Sequence, residues 1–113
     1  MRICLLRSTC ANGRTCPNIN ISDRGTYVIQ GYEVPGDCGT PQQGVVEVPL
    51  RLLPELAGRA ACADIRFTGY GSVLLRGDQV DDPVVLAELD LPTGESAVEI
   101  KTSRLPELAG LHA

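Results

Sequence analysis

The sequence predicts a mainly β protein: a duplicated three-strand unit with short helices, folded as one pseudo-twofold small barrel or sandwich. Three observations predict it. Residues 16–31 align without a gap on residues 62–77, so that Cys16, Ile19, Gly25 and Gly31 recur as Cys62, Ile65, Gly71 and Gly77. Residues 45–58 realign with 97–110, and the six residues from Leu53 are identical to those from Leu105. Each copy also holds runs of β-formers broken by turn glycines. A chain of 113 residues is the size of one domain, and half of it is near the lower limit for folding alone. Residues 1–113 are therefore read as a single domain of two repeats, about 16–58 and 62–110, that share a core. With three Tyr, one Phe and no Trp, small aliphatic side chains must fill it.

In chain order, Ile3-Cys-Leu-Leu is an edge-strand candidate. Asn18-Ile-Asn-Ile alternates polar and apolar residues, Ser22 to Gly25 supplies a turn, and Thr26 to Gln30 is rich in β-formers, which reads as a hairpin. Asp64 to Phe67, the turn Thr68 to Gly71 and Ser72 to Arg76 repeat it. Val45 to Val48 and Ala97 to Ile100 have the pattern of a third strand, with Val46, Val48, Val98 and Ile100 on one face. A helical turn follows each, with Pro54 or Pro106 at its first position and Gly58 or Gly110 as a left-handed cap. Between second and third strands the copies differ. Pro35 to Gly44 is rich in Gly and Pro and reads as a loop, whereas Asp82 caps a short helix from Pro83 to Leu89 with Val85, Leu86 and Leu89 on one face. The shared core should join Ile19, Ile21, Val28, Val46 and Val48 to Ile65, Phe67, Leu74, Val98 and Ile100.

Net charge is −4, with five basic and five acidic residues in 1–58 and five basic and nine acidic in 59–113. No Lys/Arg cluster exists of the kind that drives phosphate-backbone affinity, so direct nucleic-acid binding is not expected. No run of about 18 apolar residues exists to span a membrane, and the apolar stretch at the start is too short for a signal peptide. A cytoplasmic protein with reduced thiols is the default, and the odd number of cysteines argues against a closed disulfide framework.

Catalysis has little to work with. The only His, His112, is next to the last residue, and no Ser, Cys or Asp stands in a nucleophile motif, so no enzyme and no cofactor is expected. Cys4, Cys10 and Cys16 are spaced by six and Cys38 lies on the Gly-rich stretch, which makes these four the candidate metal ligands or redox pairs. Structural zinc normally uses two closely spaced Cys pairs, so Cys16 and its repeat Cys62 are read first as buried core residues. Tyr32 and Tyr70 have no aromatic counterpart in the other copy, which singles them out for partner contact. The acidic second copy adds Asp81, Asp82 and Glu88 around the short helix, although the cap alone explains Asp82.

The order Cys16, two short strands around the Gly25 turn in Asp23-Arg-Gly-Thr-Tyr-Val-Ile-Gln-Gly31, a variable loop, Val-Glu-Val and a terminal apolar turn resembles small actinobacterial proteins of the BldB-type domain of unknown function. Leu53 and Leu56, or Leu105 and Leu108, stand where that pattern usually has a Trp. Such proteins are often encoded beside XRE-type helix-turn-helix regulators, and each copy here would correspond to one unit. The resemblance implies a small non-enzymatic regulatory protein that binds a transcription regulator or itself as a homo-oligomer. A Cys-based metal-binding or redox-sensing module is the alternative.

Overall fold

The computed structural model describes residues 1–9, 16–34 and 43–111. Among the described residues seven strands form one antiparallel sheet: β1 (Ile3–Ser8), β2 (Asn18–Ser22), β3 (Thr26–Glu33), β4 (Gln43–Pro49), β5 (Ile65–Phe67), β6 (Ser72–Gln79) and β7 (Glu95–Lys101). The hairpin turns form as their glycines require, with φ of 72° at Gly25 and 84° at Gly71. Helix α1 (Pro83–Leu89) starts where the Asp82 carboxylate accepts hydrogen bonds from the N–H groups of Val84 and Val85. The backbone hydrogen bond to Val85 is the first cause that holds the Asp82 carboxyl below its usual pKa.

The third strand of each copy does not lie beside its own second strand along most of its length. It pairs with the second strand of the other copy: β3 runs along β7 from Thr26↔Lys101 to Tyr32↔Glu95, and β6 runs along β4 from Ser72↔Pro49 to Asp78↔Gln43. The ends then close within each copy, at Tyr32↔Glu47 and Glu33↔Val46 and at the matching Asp78↔Glu99 and Gln79↔Val98. Strands β3, β7, β6 and β4 are thus a closed four-strand ring, and the barrel alternative holds. Gly31 and Gly77 sit at matching places in it. A Cβ on Gly31 would lie 2.7 Å from the Glu47 carbonyl oxygen, and one on Gly77 2.7 Å from that of Glu99. Only glycine permits so close an approach.

The ring encloses Ile19, Tyr27, Ile29, Val46, Val48, Ile65, Val73, Leu75, Val98 and Ile100, closed off by Leu52, Leu53, Leu56, Leu105 and Leu108, all buried. Two expected core positions are corrected. Val28 belongs to a second cluster with Val80, Val85, Leu89 and Ala97, beneath α1, and Leu74 is only half-buried. Tyr27 and Ile29 in β3, and Val73 and Leu75 in β6, take the inward places, because side chains alternate and the whole run is apolar. Ile21 and Phe67 pack against the ring from its rim, half-buried.

After each third strand come two 3-10 turns rather than one helical turn: Leu50–Leu52 and Pro54–Leu56, then Thr102–Arg104 and Pro106–Leu111. Gly58 takes φ of 87° as a cap should, whereas Gly110 lies inside the last 3-10 segment without positive φ. The repeated Glu is held alike in both: Arg7 Nη1 donates to Leu52 O and Glu55 Oε1, each at 2.9 Å, and Arg59 Nη1 to Arg104 O and Glu107 Oε1, each at 3.0 Å.

Candidate functional site

The symmetry of the ring places one groove twice on the surface, once beside each hairpin turn. The frame is the same in both. In the first, Ser72 Oγ donates to Glu47 Oε2 at 2.6 Å, lies 2.7 Å from Thr68 Oγ1, and the N–H of Tyr70 donates to Thr68 Oγ1 at 3.1 Å. In the second, Thr26 Oγ1 donates to Glu99 Oε2 at 2.6 Å, lies 2.5 Å from Ser22 Oγ, and the N–H of Arg24 donates to Ser22 Oγ at 3.1 Å. A half-buried carboxylate that crosses to the opposite copy's turn therefore pins each hairpin against the strand beside it.

What lines the two grooves is different. Tyr32, Val48, Pro49 and Tyr70 line the first, together with Glu47, Gly71 and Ser72, around a cavity of about 400 Å³. Tyr32 is 51% exposed and Tyr70 94%. The second, of about 310 Å³, has Asp78, Lys101 and Arg24 at the places of Tyr32, Pro49 and Tyr70. Arg24 and Glu99 are engaged across the groove, with Arg24 Nη2 3.4 Å from Glu99 Oε1. Two tyrosines that the sequence singled out separately, on β3 and on the β5–β6 turn, thus converge on one aromatic, apolar-lined groove. Aromatic rings that stand in water at a groove wall carry a large area to bury against a partner at small entropic cost.

The acidic candidates lie elsewhere. Asp81 and Glu88 are exposed on and before α1, while the Asp82 carboxylate is taken up by the helix cap and lies 3.4 Å from the amino group of Met1. Its tie to backbone donors makes it a structural residue in this fold.

Among the cysteine candidates, Cys4 is an exposed free thiol on β1. Cys16 is half-buried and disulfide-bonded, and its partner lies outside the described residues, as do Cys10, Cys38 and His112. Three expectations are corrected here. Thiols are not all reduced, Cys16 is a half-buried disulfide cysteine rather than a buried core thiol, and Cys62 is an exposed free thiol rather than a core residue, because the chain preceding β5 has no strand beside it equivalent to β1. Among the described residues no group of three or more His, Cys, Asp or Glu is arranged to hold a metal ion.

Sequence reasoning missed a third site, a cavity of about 330 Å³ on the second copy lined by Arg59, Arg76, Arg104, Cys62, Asp64 and the apolar side chains of Ile65, Ile100 and Leu105. The signal was present in the alignment, where Arg76 and Asp64 replace Gln30 and Asn18. No family model, no curated protein and no solved structure matches the chain. Among the described residues no helix is long and apolar enough to cross a membrane.

Proposed function

We propose that this is a small non-enzymatic regulatory protein that works by binding another protein, and that the groove between Tyr32 and Tyr70 is its contact surface. The observation that carries the reading is the comparison of the two grooves. Where the fold repeats the site with its hydrogen-bonded frame intact, neither tyrosine is present, so the aromatic pair is not needed for the fold. Single exposed apolar side chains are ordinary on a surface, but two tyrosines with Val48 and Pro49 around one cavity make a place for a buried anchor. The partner class is a transcription regulator of the helix-turn-helix type, supported by the resemblance of residues 23–31 to the BldB-type unit; Asp81 and Glu88 supply acidic charge suited to steering a basic protein.

Purification of the full-length chain from its native cells, beside Tyr70→Ser and Arg24→Ser variants, tests this. A helix-turn-helix protein should be retained by the unaltered chain and by Arg24→Ser and be lost with Tyr70→Ser. Equal recovery with all three removes the groove, and recovery of no DNA-binding protein removes the partner class.

The Cys16 disulfide favours a second reading, a redox-sensing module. In the cytoplasm, where the chain is proposed to act, such a bond is a transient or sensing one. Mild reduction should then release two additional alkylatable thiols, Cys16 and its partner, while Cys4 and Cys62 react before and after. A bond that resists the glutathione pool would make it structural and place the protein in an oxidising compartment.

A further inference from the structure

The outer edge of β5 carries an inference that does not rest on the tyrosine groove, since the cavity beside that edge shares no lining residue with the groove. We propose that this edge takes an extended segment of a partner protein as an added antiparallel strand, with one aliphatic side chain of that segment seated in the cavity of about 330 Å³. The first copy shows what such a place holds. Strand β2, the repeat of β5, carries β1 along its outer edge, from Ile3↔Ser22 and Cys4↔Ile21 to Arg7↔Ile19 and Ser8↔Asn18. Leu6 of that strand packs against the ring core, and Arg7 reaches Leu52 O and Glu55.

The second copy repeats only one end of this arrangement. Arg59 makes with Arg104 O and Glu107 the contacts that Arg7 makes with Leu52 O and Glu55, and Cys62 bridges Ile65 where Arg7 stands opposite Ile19. Beyond that bridge, β6 is the only strand beside β5 among the described residues. The phase of the ladder decides which main-chain groups face outward. Arg76 N–H donates to Asp64 O and Thr68 N–H to Ser72 O, so residues 64, 66 and 68 face β6, and the N–H and C=O of Ile65 and Phe67 face away from it. Cys62 uses those of Ile65, at 2.8 and 3.3 Å, which leaves the pair on Phe67 for an added strand. Phe67 stands where Ile21 meets Cys4 in the first copy.

Beside that edge, Ile65, Ile100 and Leu105 line the cavity, and their counterparts Ile19, Val48 and Leu53 belong to the core on which Leu6 packs. The arginines at its rim are already paired, Arg59 with Glu107 and Arg104 with Asp64, so the place selects an aliphatic side chain rather than a charge. Main-chain hydrogen bonds then give affinity and the cavity gives specificity, as when a peptide adds to an open sheet edge.

Backbone amide shifts of the full chain, titrated with a peptide of its own residues 2–9 carrying Ser in place of Cys, test it. The peptide should saturate with Kd below about 1 mM, move Ile65 and Phe67, protect the Phe67 amide from exchange and slow the reaction of Cys62 with a thiol reagent several-fold. Placing Asp in the peptide where Leu6 stands, or methylating its main-chain nitrogen where Cys4 stands, should each weaken binding at least about tenfold. Phe67→Pro, which removes the outward donor but no bond to β6, should do the same; if that variant unfolds, the methylated peptide tests the same bond in the unaltered chain. Shifts confined to Ile19 and Ile21, the mark of β1 being displaced instead, equal affinity for either altered peptide, or no saturation by about 5 mM would each overturn the assignment.

Discussion

The two hairpin-turn grooves are built on one frame and lined differently. Ser72 and Glu47 do for the first what Thr26 and Glu99 do for the second, at the same 2.6 Å. Above that frame one groove exposes Tyr32 and Tyr70, and the other sets Arg24 against Glu99 with Asp78 and Lys101 alongside. If the two halves are repeats of one unit, the arrangement separates two demands that are superimposed in a single-copy fold. What recurs serves the ring, and what does not recur is free to serve recognition. The same separation distinguishes the buried Asn18 and Gln30 network from the open cavity around Arg76.

Because each third strand pairs mainly with the other copy, the frame should fail as a whole when the copies are parted. Residues 1–59 alone lack β7, the partner of β3 over its length, and are expected to show no cooperative unfolding transition as a monomer. A cooperatively folded monomeric half would break the exchange of strands on which the comparison rests; a folded dimer of halves, with β4 of one chain in place of β7, would support it.

A finer comparison is available at the ring closures. Gly31→Ala and Gly77→Ala should each cost about 1–3 kcal/mol in denaturant unfolding, since both place a methyl group against a carbonyl oxygen of the facing strand. Costs that differ by more than about 2 kcal/mol would show that the two closures are not mechanically equivalent.

The smallest expected effect concerns the repeated Leu-Pro-Glu-Leu turn. A side-chain hydrogen bond from Arg7 is the first cause that holds the Glu55 carboxyl below its ordinary value of 4.5, and the same bond raises Arg7. A depressed carboxylate contributes stability above its unfolded pKa, and that contribution is lost as pH falls below 4.5 through the lower folded value. Glu55→Gln should cost about 0.5–1 kcal/mol at pH 7 and nothing once the pH is below the folded pKa. A constant penalty across that window would assign the effect to packing.

Much of this architecture is legible in the sequence because local chemistry dictates it. The turn glycines, the Asp82 cap and the alternation in β4 and β7 each follow from a few neighbouring residues. The exchange of third strands does not, since nothing local says whether Val98 faces Val28's strand or its own hairpin. Tyr27-Val-Ile is apolar at every position, so alternation could not choose which side faces inward, and α1 offered Val28 a second place to be buried. Cys62 misled for a related reason: a shared alignment position implies a shared backbone, but its environment depends on β1, which has no second copy. Of the candidate site, Tyr32 and Tyr70 are individually visible in the sequence as unmatched aromatics, whereas their meeting in one groove is a product of the ring.

The contrast between the grooves is tested most directly by placing a photo-crosslinking amino acid at position 70 or at its structural counterpart, position 24, in the otherwise intact chain, in its native cells. The account predicts a specific adduct with a single partner protein from position 70, lost when Tyr32 is changed to Asp, the residue at the matching position 78, and no adduct from position 24. Adducts of the same protein from both positions, or from position 24 alone, would contradict it.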